Sequence, residues 1–215
     1  MKVITKFLLS AADPSKFPLA GPPEIAFLGR SNVGKSSLIN SLVGNKIAKT
    51  SNTPGRTQTI NFFEIRWPGR PKADMVFADL PGYGYARVPR ELTDQWPSFI
   101  DPYLASRTPL ALCLCLVDAN IAPQKSDAHL ITYLREVGRP FIVVATKADR
   151  VGTRIHASLA ALKKELGVEH IVAYSAKVGT GKDELWKVIR ESGERYSAAQ
   201  KDVPLGELGQ EEDDA

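Results

Sequence analysis

The stretch Glu24-Ile25-Ala26-Phe27-Leu28-Gly29-Arg30-Ser31-Asn32-Val33-Gly34-Lys35-Ser36-Ser37 decides the fold. A short apolar run, a loop bracketed by glycines, and then Lys35 to Val43 with helical periodicity read as strand, loop and helix. Residues 29–36 fit G-x-x-x-x-G-K-[ST] in the context that motif requires. Gly29 and Gly34 let the backbone curl so that successive N–H groups face an anion. The helix that follows points its positive end at the same place. Lys35 offers a cation to β- and γ-phosphates, and Ser36 offers a hydroxyl oxygen to Mg²⁺. Arg30, Ser31, Asn32, Val33 and Ser37 complete the candidate phosphate-binding loop.

Outward from this loop the chain alternates strands and helices. Residues 60–67 and 74–79 read as a hairpin turning at Pro68-Gly69. Leu110–Val117 is a continuous apolar run, typical of a strand covered on both faces. Helix 124–137, strand 140–145, helix 154–166, strand 168–174 and helix 181–196 follow. The expected architecture is α/β, a P-loop NTPase with a mostly parallel six-stranded sheet, one antiparallel edge strand and flanking helices. Residues 1–23 carry Asp13-Pro14, Pro18 and Gly21-Pro22-Pro23 and read as an N-terminal arm packing on a domain of residues 24–197. Residues 198–215 read as an acidic, disordered tail. Residues 44–59 read as a mobile loop, and residues 80–102, rich in Pro and Gly, as a long irregular segment of functional character.

With 215 residues, 43% hydrophobic and 24% charged, the chain suits one ordinary globular domain. No run approaches the length of a membrane span, and the N-terminus lacks a signal-peptide pattern, so a cytoplasmic protein without membrane association is expected. Cys113 and Cys115, read as lying on opposite faces of a strand, are not expected to bridge. The net charge is +4, but residues 207–215 hold five acids and no base, so residues 1–206 carry 28 bases against 19 acids, a net +9. A basic body suggests a polyanionic partner such as RNA, while charge alone slightly favours a merely solvated surface.

Two later segments choose the base. Thr146-Lys147-Ala148-Asp149 and Tyr174-Ser175-Ala176 each close an apolar strand. Asp149 can accept hydrogen bonds from guanine N1–H and the 2-amino group, whereas adenine would leave a carboxylate facing a lone pair, which costs several kcal/mol. The Lys147 stem can lie along the base, and the Ala176 N–H can reach guanine O6. Asp79-Leu80-Pro81-Gly82 closes another strand, with Asp79 placed to hold Mg²⁺ through water and the Gly82 N–H to sense a γ-phosphate.

In this order the motifs are similar to those of the TrmE-Era-EngA-EngB-like P-loop GTPases. More closely, the chain resembles the EngB (YihA/YsxC) family of bacterial ribosome-assembly GTPases. The resemblance rests on Gly29–Ser37, Thr53-Pro-Gly55-Arg56-Thr57-Gln58-Thr59, Asn61-Phe-Phe63, Asp79–Ala86 and Thr146–Asp149, within residues 5–197. It implies that Gly55–Thr59 form the first switch, with Thr57 joining Ser36 on Mg²⁺; periodicity alone does not separate Thr57 from Thr53 or Thr59. It implies a GTP/GDP switch that hydrolyses GTP, acts on the large ribosomal subunit or its precursor with rRNA contact, and is a monomer. It also implies a link to cell division and septation, for which no residue argues directly.

The sequence departs from the commoner GTPase pattern twice. Thr146 replaces the Asn of N-K-x-D, which is expected to weaken nucleotide affinity. Tyr83 follows Gly82 where many small GTPases place a water-orienting glutamine, so intrinsic hydrolysis is expected to be slow. In related GTPases an asparagine placed like Asn32 helps hold K⁺ beside the phosphates; here Asn32 either does this or satisfies local backbone. Lys35, Asn32, Thr57 and Gly82 are thus the candidate catalytic residues. Arg87 and Arg90 could meet RNA phosphates or stay solvated, Trp67, Trp96 and Trp186 read as packing residues, and His129, His156 and His170 have no evident role. Two other functions compete with the switch. One is a nucleotide-sensing module with negligible turnover, favoured by Tyr83; the other is a P-loop kinase or ATPase, opposed by Asp149.

Overall fold

The computed structural model describes residues 2–48, 59–83 and 98–201. Seven strands form one sheet: β1 (Ile4–Ala11), β2 (Glu24–Gly29), β3 (Ile60–Arg66), β4 (Met75–Asp79), β5 (Leu110–Asp118), β6 (Phe141–Thr146) and β7 (Ile171–Ala173). Their order across the sheet is β1-β3-β4-β2-β5-β6-β7. The block β4-β2-β5-β6-β7 is parallel, and β3 pairs antiparallel with both β4 and β1. The hairpin is present, with Asn61 opposite Asp79 and Ile65 opposite Met75.

The sheet has seven strands, not six, because residues 4–11 of the expected arm form an edge strand. The alternation in Ile4–Ala11 is broken by a register shift between Phe7 and Leu9, and much of the strand is exposed, so the period-2 signal is weak. Ser10 Oγ donates to Asn61 Oδ1 at 2.5 Å and helps set the pairing.

Helices cover both faces. On one lie α1 (Lys35–Val43), whose Leu38, Ile39, Leu42 and Val43 are buried, and α5 (Lys182–Lys201), which buries Leu185, Trp186 and Ile189. On the other lie α2 (Ile100–Ser106), α3 (Lys125–Glu136) and α4 (Ile155–Leu166), which contribute residues such as Tyr103, Leu130, Leu134 and Leu162. Strand β5, next to the central β2, sends Leu112, Leu114 and Leu116 to the first face and Cys113, Cys115 and Val117 to the second. Cys113 and Cys115 therefore share a face, correcting the expectation of opposite faces: residues two apart on a strand point the same way. Both are free and buried. Trp186 stacks on Phe77 and meets Trp67 edge-on, so these two tryptophans pack; Trp96 lies outside the described residues. His170 is exposed beside Glu184 at 3.4 Å. Among the described residues no helix is long and apolar enough to cross a membrane.

A buried carboxylate anchors the start of β2. Glu24 is 2% exposed and takes both Arg107 Nε (3.2 and 3.1 Å) and one terminal nitrogen (2.5 Å), while the Tyr103 hydroxyl donates to it at 3.0 Å. Arg107 also donates to the Pro18 carbonyl at 2.7 Å, which ties the segment between β1 and β2 to α2. Burial, and then the Glu24 charge, push the Tyr103 phenol well above its ordinary range. Replacing Arg107 by Met strands a buried carboxylate, so Arg107→Met is expected to cost about 3–5 kcal/mol of stability in urea unfolding. A loss below about 1 kcal/mol would contradict this account.

Candidate functional site

The phosphate loop, residues 80–83 and the segments Thr146–Asp149 and Tyr174–Ala176 all lie at the carboxyl ends of the parallel strands, where ligands of such sheets bind. The phosphate loop leaves β2 at Gly29 and enters α1 at Lys35. Gly34 precedes the helix with φ +104°, a conformation that a side chain would strain. Asn32, at φ 64°, is left-handed without being glycine. The Lys35 ammonium pairs with the Asp79 carboxylate at the end of β4.

The base segment is bolted to this loop. The Thr146 hydroxyl lies 2.6 Å from the Val33 carbonyl oxygen and 3.0 Å from that of Val117. Lys147, itself left-handed at φ 57°, donates through Nζ to the Asn32 carbonyl at 2.8 Å and to Asp118 Oδ2 at 2.7 Å. The two non-glycine residues in the left-handed region among the described residues are thus joined to each other. Their strain, typically about 1–3 kcal/mol each, is held in place by these bonds.

Asp149 stands exposed at the rim and accepts from the Ser175 hydroxyl at 2.6 Å. That hydrogen bond is the main reason its carboxyl lies below the ordinary range, ahead of the nearby Lys177 and Arg150 charges. Ala148 N–H donates to the Tyr174 carbonyl at 3.1 Å, locking the two base segments together. The loop after β7 closes tightly, since a Cβ on Gly181 (φ +75°) would stand 2.0 Å from the Ala173 carbonyl oxygen. Beneath it, the Tyr174 hydroxyl bonds Ser41 Oγ at 3.0 Å and Lys182 Nζ donates to the Ser41 carbonyl at 2.5 Å. The cleft so formed, about 930 Å³, is lined by Gly34, Ser37, Thr146, Lys147, Asp149 and Ala176 among others. That volume suits a nucleoside.

Of the expected site residues, Gly29–Ser37, Asp79–Gly82, Thr146–Asp149 and Tyr174–Ala176 converge on this end of the sheet. Thr59 precedes β3 and is partly buried. Gly55, Arg56, Thr57 and Gln58 lie outside the described residues, as do Arg87 and Arg90. Sequence reasoning missed Asp118, which seats the Lys147 ammonium, and Ser41 and Gly181, which hold the base segment. Asp118 closes the apolar strand β5 as Asp79 closes β4, and that was the available signal.

The oxygen donors Ser36 and Asp79 could hold a hard cation. Among the described residues no group of three or more His, Cys, Asp or Glu side chains gathers as a cage. A sparse oxygen set suits Mg²⁺, which keeps waters and shares ligation with phosphates.

Residues 24–147 match the family described as "50S ribosome-binding GTPase". A probable GTP-binding protein EngB of Koribacter versatilis is 63% identical over 205 residues, covering 95% of this chain and 98% of that protein. The chain belongs to the EngB family of GTP-binding proteins. A second EngB relative, from Acidobacterium capsulatum, is 52% identical over 94% of this chain and 96% of its own. Among solved structures, a probable GTP-binding protein EngB is similar with a TM-score of 0.64 and 27% identity, covering 80% of this chain and 99% of that one. Era in complex with MgGDPNP and nucleotides 1506–1542 of 16S ribosomal RNA is similar with a TM-score of 0.63 and 26% identity, over 79% of this chain and 56% of that one. As a member of the EngB family the protein is a P-loop GTPase, which converts GTP and water to GDP and phosphate.

In this EngB chain the Thr146 hydroxyl takes up the tie between base segment and phosphate loop. Thr146→Val is expected to leave the buried Val33 carbonyl unpaired and lower stability by about 1–3 kcal/mol in urea unfolding, while Thr146→Ser keeps it near wild type.

Proposed function

We propose that this GTPase is a switch that assembles the large ribosomal subunit, reading guanine with Asp149 and the γ-phosphate with Gly82. The observation that carries the nucleotide assignment is the Asp149 carboxylate, held ionised and aimed by Ser175 at the rim of a cleft that opens onto the phosphate loop. Asp149 accepts from guanine N1–H and the 2-amino group, the Ala176 N–H donates to O6, and the Lys147 stem covers the base face. The amides of residues 29–34 and the Lys35 ammonium bind the phosphates, and Lys35 leaves Asp79 to do so. Ser36, Thr57 and, through water, Asp79 would hold Mg²⁺, which would supply charge neutralisation to the phosphates.

Hydrolysis proceeds by in-line attack of water on the γ-phosphorus, and positioning supplies most of the rate. The Tyr83 phenol is buried in the core, so it does not orient that water, and slow intrinsic turnover follows. Among the described residues the Asn32 side chain makes no hydrogen bond, which leaves its amide available to a K⁺ ion beside the phosphates. Gly55–Thr59 and the segment after Asp79 respond to the γ-phosphate, and the protein binds and leaves its partner accordingly.

The ribosomal partner is supported by the description of the matching family, by the RNA-bound state of Era and by the net +9 of residues 1–206. The chain carries this chemistry as a cytoplasmic monomer, with the expected arm contributing β1 to the sheet and the last helix running on to Lys201, past the expected start of the tail, and the division and septation role follows from ribosome supply. The reading in which turnover alone is negligible fits the buried Tyr83, and stimulation by large subunits unites the two.

Asp149→Asn is expected to weaken GTP by at least about a hundredfold and to improve xanthosine triphosphate, as read by calorimetry. ATP binding as well as GTP would refute the base assignment. Depletion of the protein should accumulate incomplete large subunits in a sucrose gradient, and a normal profile would refute the assembly role.

A further inference from the structure

Beyond β4 the chain continues alongside the phosphate loop. Leu80 N–H donates to the Phe27 carbonyl and Tyr83 N–H to the Gly29 carbonyl, each at 3.3 Å; Ser31 N–H donates back to the Tyr83 carbonyl at 3.0 Å. Arg30 and Tyr83 thereby form a parallel bridge. Gly82 presses on the loop so closely that a Cβ there would stand 3.2 Å from Ser31 N, Cα and Oγ. The backbone of the γ-phosphate reader is thus fitted against the loop that it serves.

The Tyr83 side chain turns the other way, into the core beneath the sheet, where it is 2% exposed. Its hydroxyl donates to Asp127 Oδ1 at 3.2 Å. Asp127 is the third residue of α3 and only 4% exposed; its Oδ2 accepts from Gln124 N–H at 3.1 Å in a reciprocal cap. Burial raises its carboxyl above the ordinary range, while the Gln124 amide and the Arg30 charge work against that rise. A helix cap of this kind works equally well at a surface. Sinking its carboxylate adds desolvation cost without improving the cap, so the burial needs another reason.

We propose that Tyr83 and Asp127 are positioning residues for γ-phosphate recognition: together they pin the peptide next to Gly82 to the N-terminal end of α3, so that the Gly82 N–H is already aimed when a triphosphate arrives. The inference rests on the reading of Gly82 given above. With Tyr83 tied at both backbone and side chain, residues 80–83 stay in register with residues 27–31. Untied, the Gly82 peptide has to be ordered by the ligand. Only a triphosphate meets that cost, because a diphosphate does not use this amide. The same link makes α3 and the loop before it sense which nucleotide is bound, since what fixes Gly82 also fixes Gln124 and Asp127.

The test is equilibrium titration of the full chain with fluorescent GDP and with a fluorescent non-hydrolysable GTP analogue. Tyr83→Phe, which keeps the ring in place, should weaken the triphosphate analogue about three- to tenfold and leave GDP within about twofold of wild type. Asp127→Ala should do the same, and the double variant should lose no more than either single one. Asp127→Asn should restore discrimination, because its amide NH₂ can donate to the Tyr83 oxygen while its carbonyl accepts from Gln124 N–H. Equal weakening of both ligands, or of neither, in Tyr83→Phe overturns the inference. Gly82→Ala, which crowds Ser31, separates the two levels. If it leaves the ratio of the affinities unchanged, the γ-phosphate reading of Gly82 itself fails; if it shifts the ratio and Tyr83→Phe does not, only the positioning role fails.

Discussion

Two carbonyl oxygens organise this molecule. Those of Asn32 and Val33, at the crest of the phosphate loop, are held by Lys147 and Thr146 from the end of β6, two strands away in the sheet. Without those bonds the left-handed turn at Asn32 has no reason to persist, and the loop amides lose their common direction. The parallel sheet exists, in functional terms, to bring β2 and β6 close enough for that bond pair to form. The segment Thr146–Asp149, proposed to read the base, is therefore tied to the phosphate loop by the same contacts.

The strand at the centre of this arrangement is held at both ends by buried polar groups. At its start, Glu24 is enclosed by Arg107 and Tyr103. Past its end, Arg30 is bridged to Tyr83, whose hydroxyl reaches Asp127. Buried carboxylates stabilise little by themselves, but each specifies one arrangement of the elements around it. The first sets how α2 and the segment before β2 close the lower end of the sheet. The second sets how the chain after β4 lies on the loop.

Much of this was legible from the residues. The loop motif in its strand-helix context, the hairpin at Pro68-Gly69 and the apolar run of β5 all carry strong periodic or turn signals, and each element formed where it was read. What escaped did so for physical reasons. Strand β1 hides behind a bulge and a half-exposed face, so its alternation is faint. Thr146 reads as the loss of an amide, yet a hydroxyl reaches the Val33 carbonyl once β6 ends beside the loop, a distance no sequence pattern contains. Asp118, Ser41 and Gly181 act through partners 29 to 141 positions away, or through the close approach of another segment. Cys113 and Cys115, two positions apart on β5, share a face because strand side chains alternate with a period of two.

The Asn40 side chain, on α1, grips the backbone at the far end of its own helix: its Oδ1 accepts from Ile47 and Ala48, and its Nδ2 donates to the Ala48 carbonyl. Strand β3, on the other side of residues 49–58, is stitched between two antiparallel neighbours and buries apolar side chains on both faces, Ile60 and Phe62 on one and Phe63 and Ile65 on the other. Residues 49–58 thus run from a capped helix end to a strand paired on both sides.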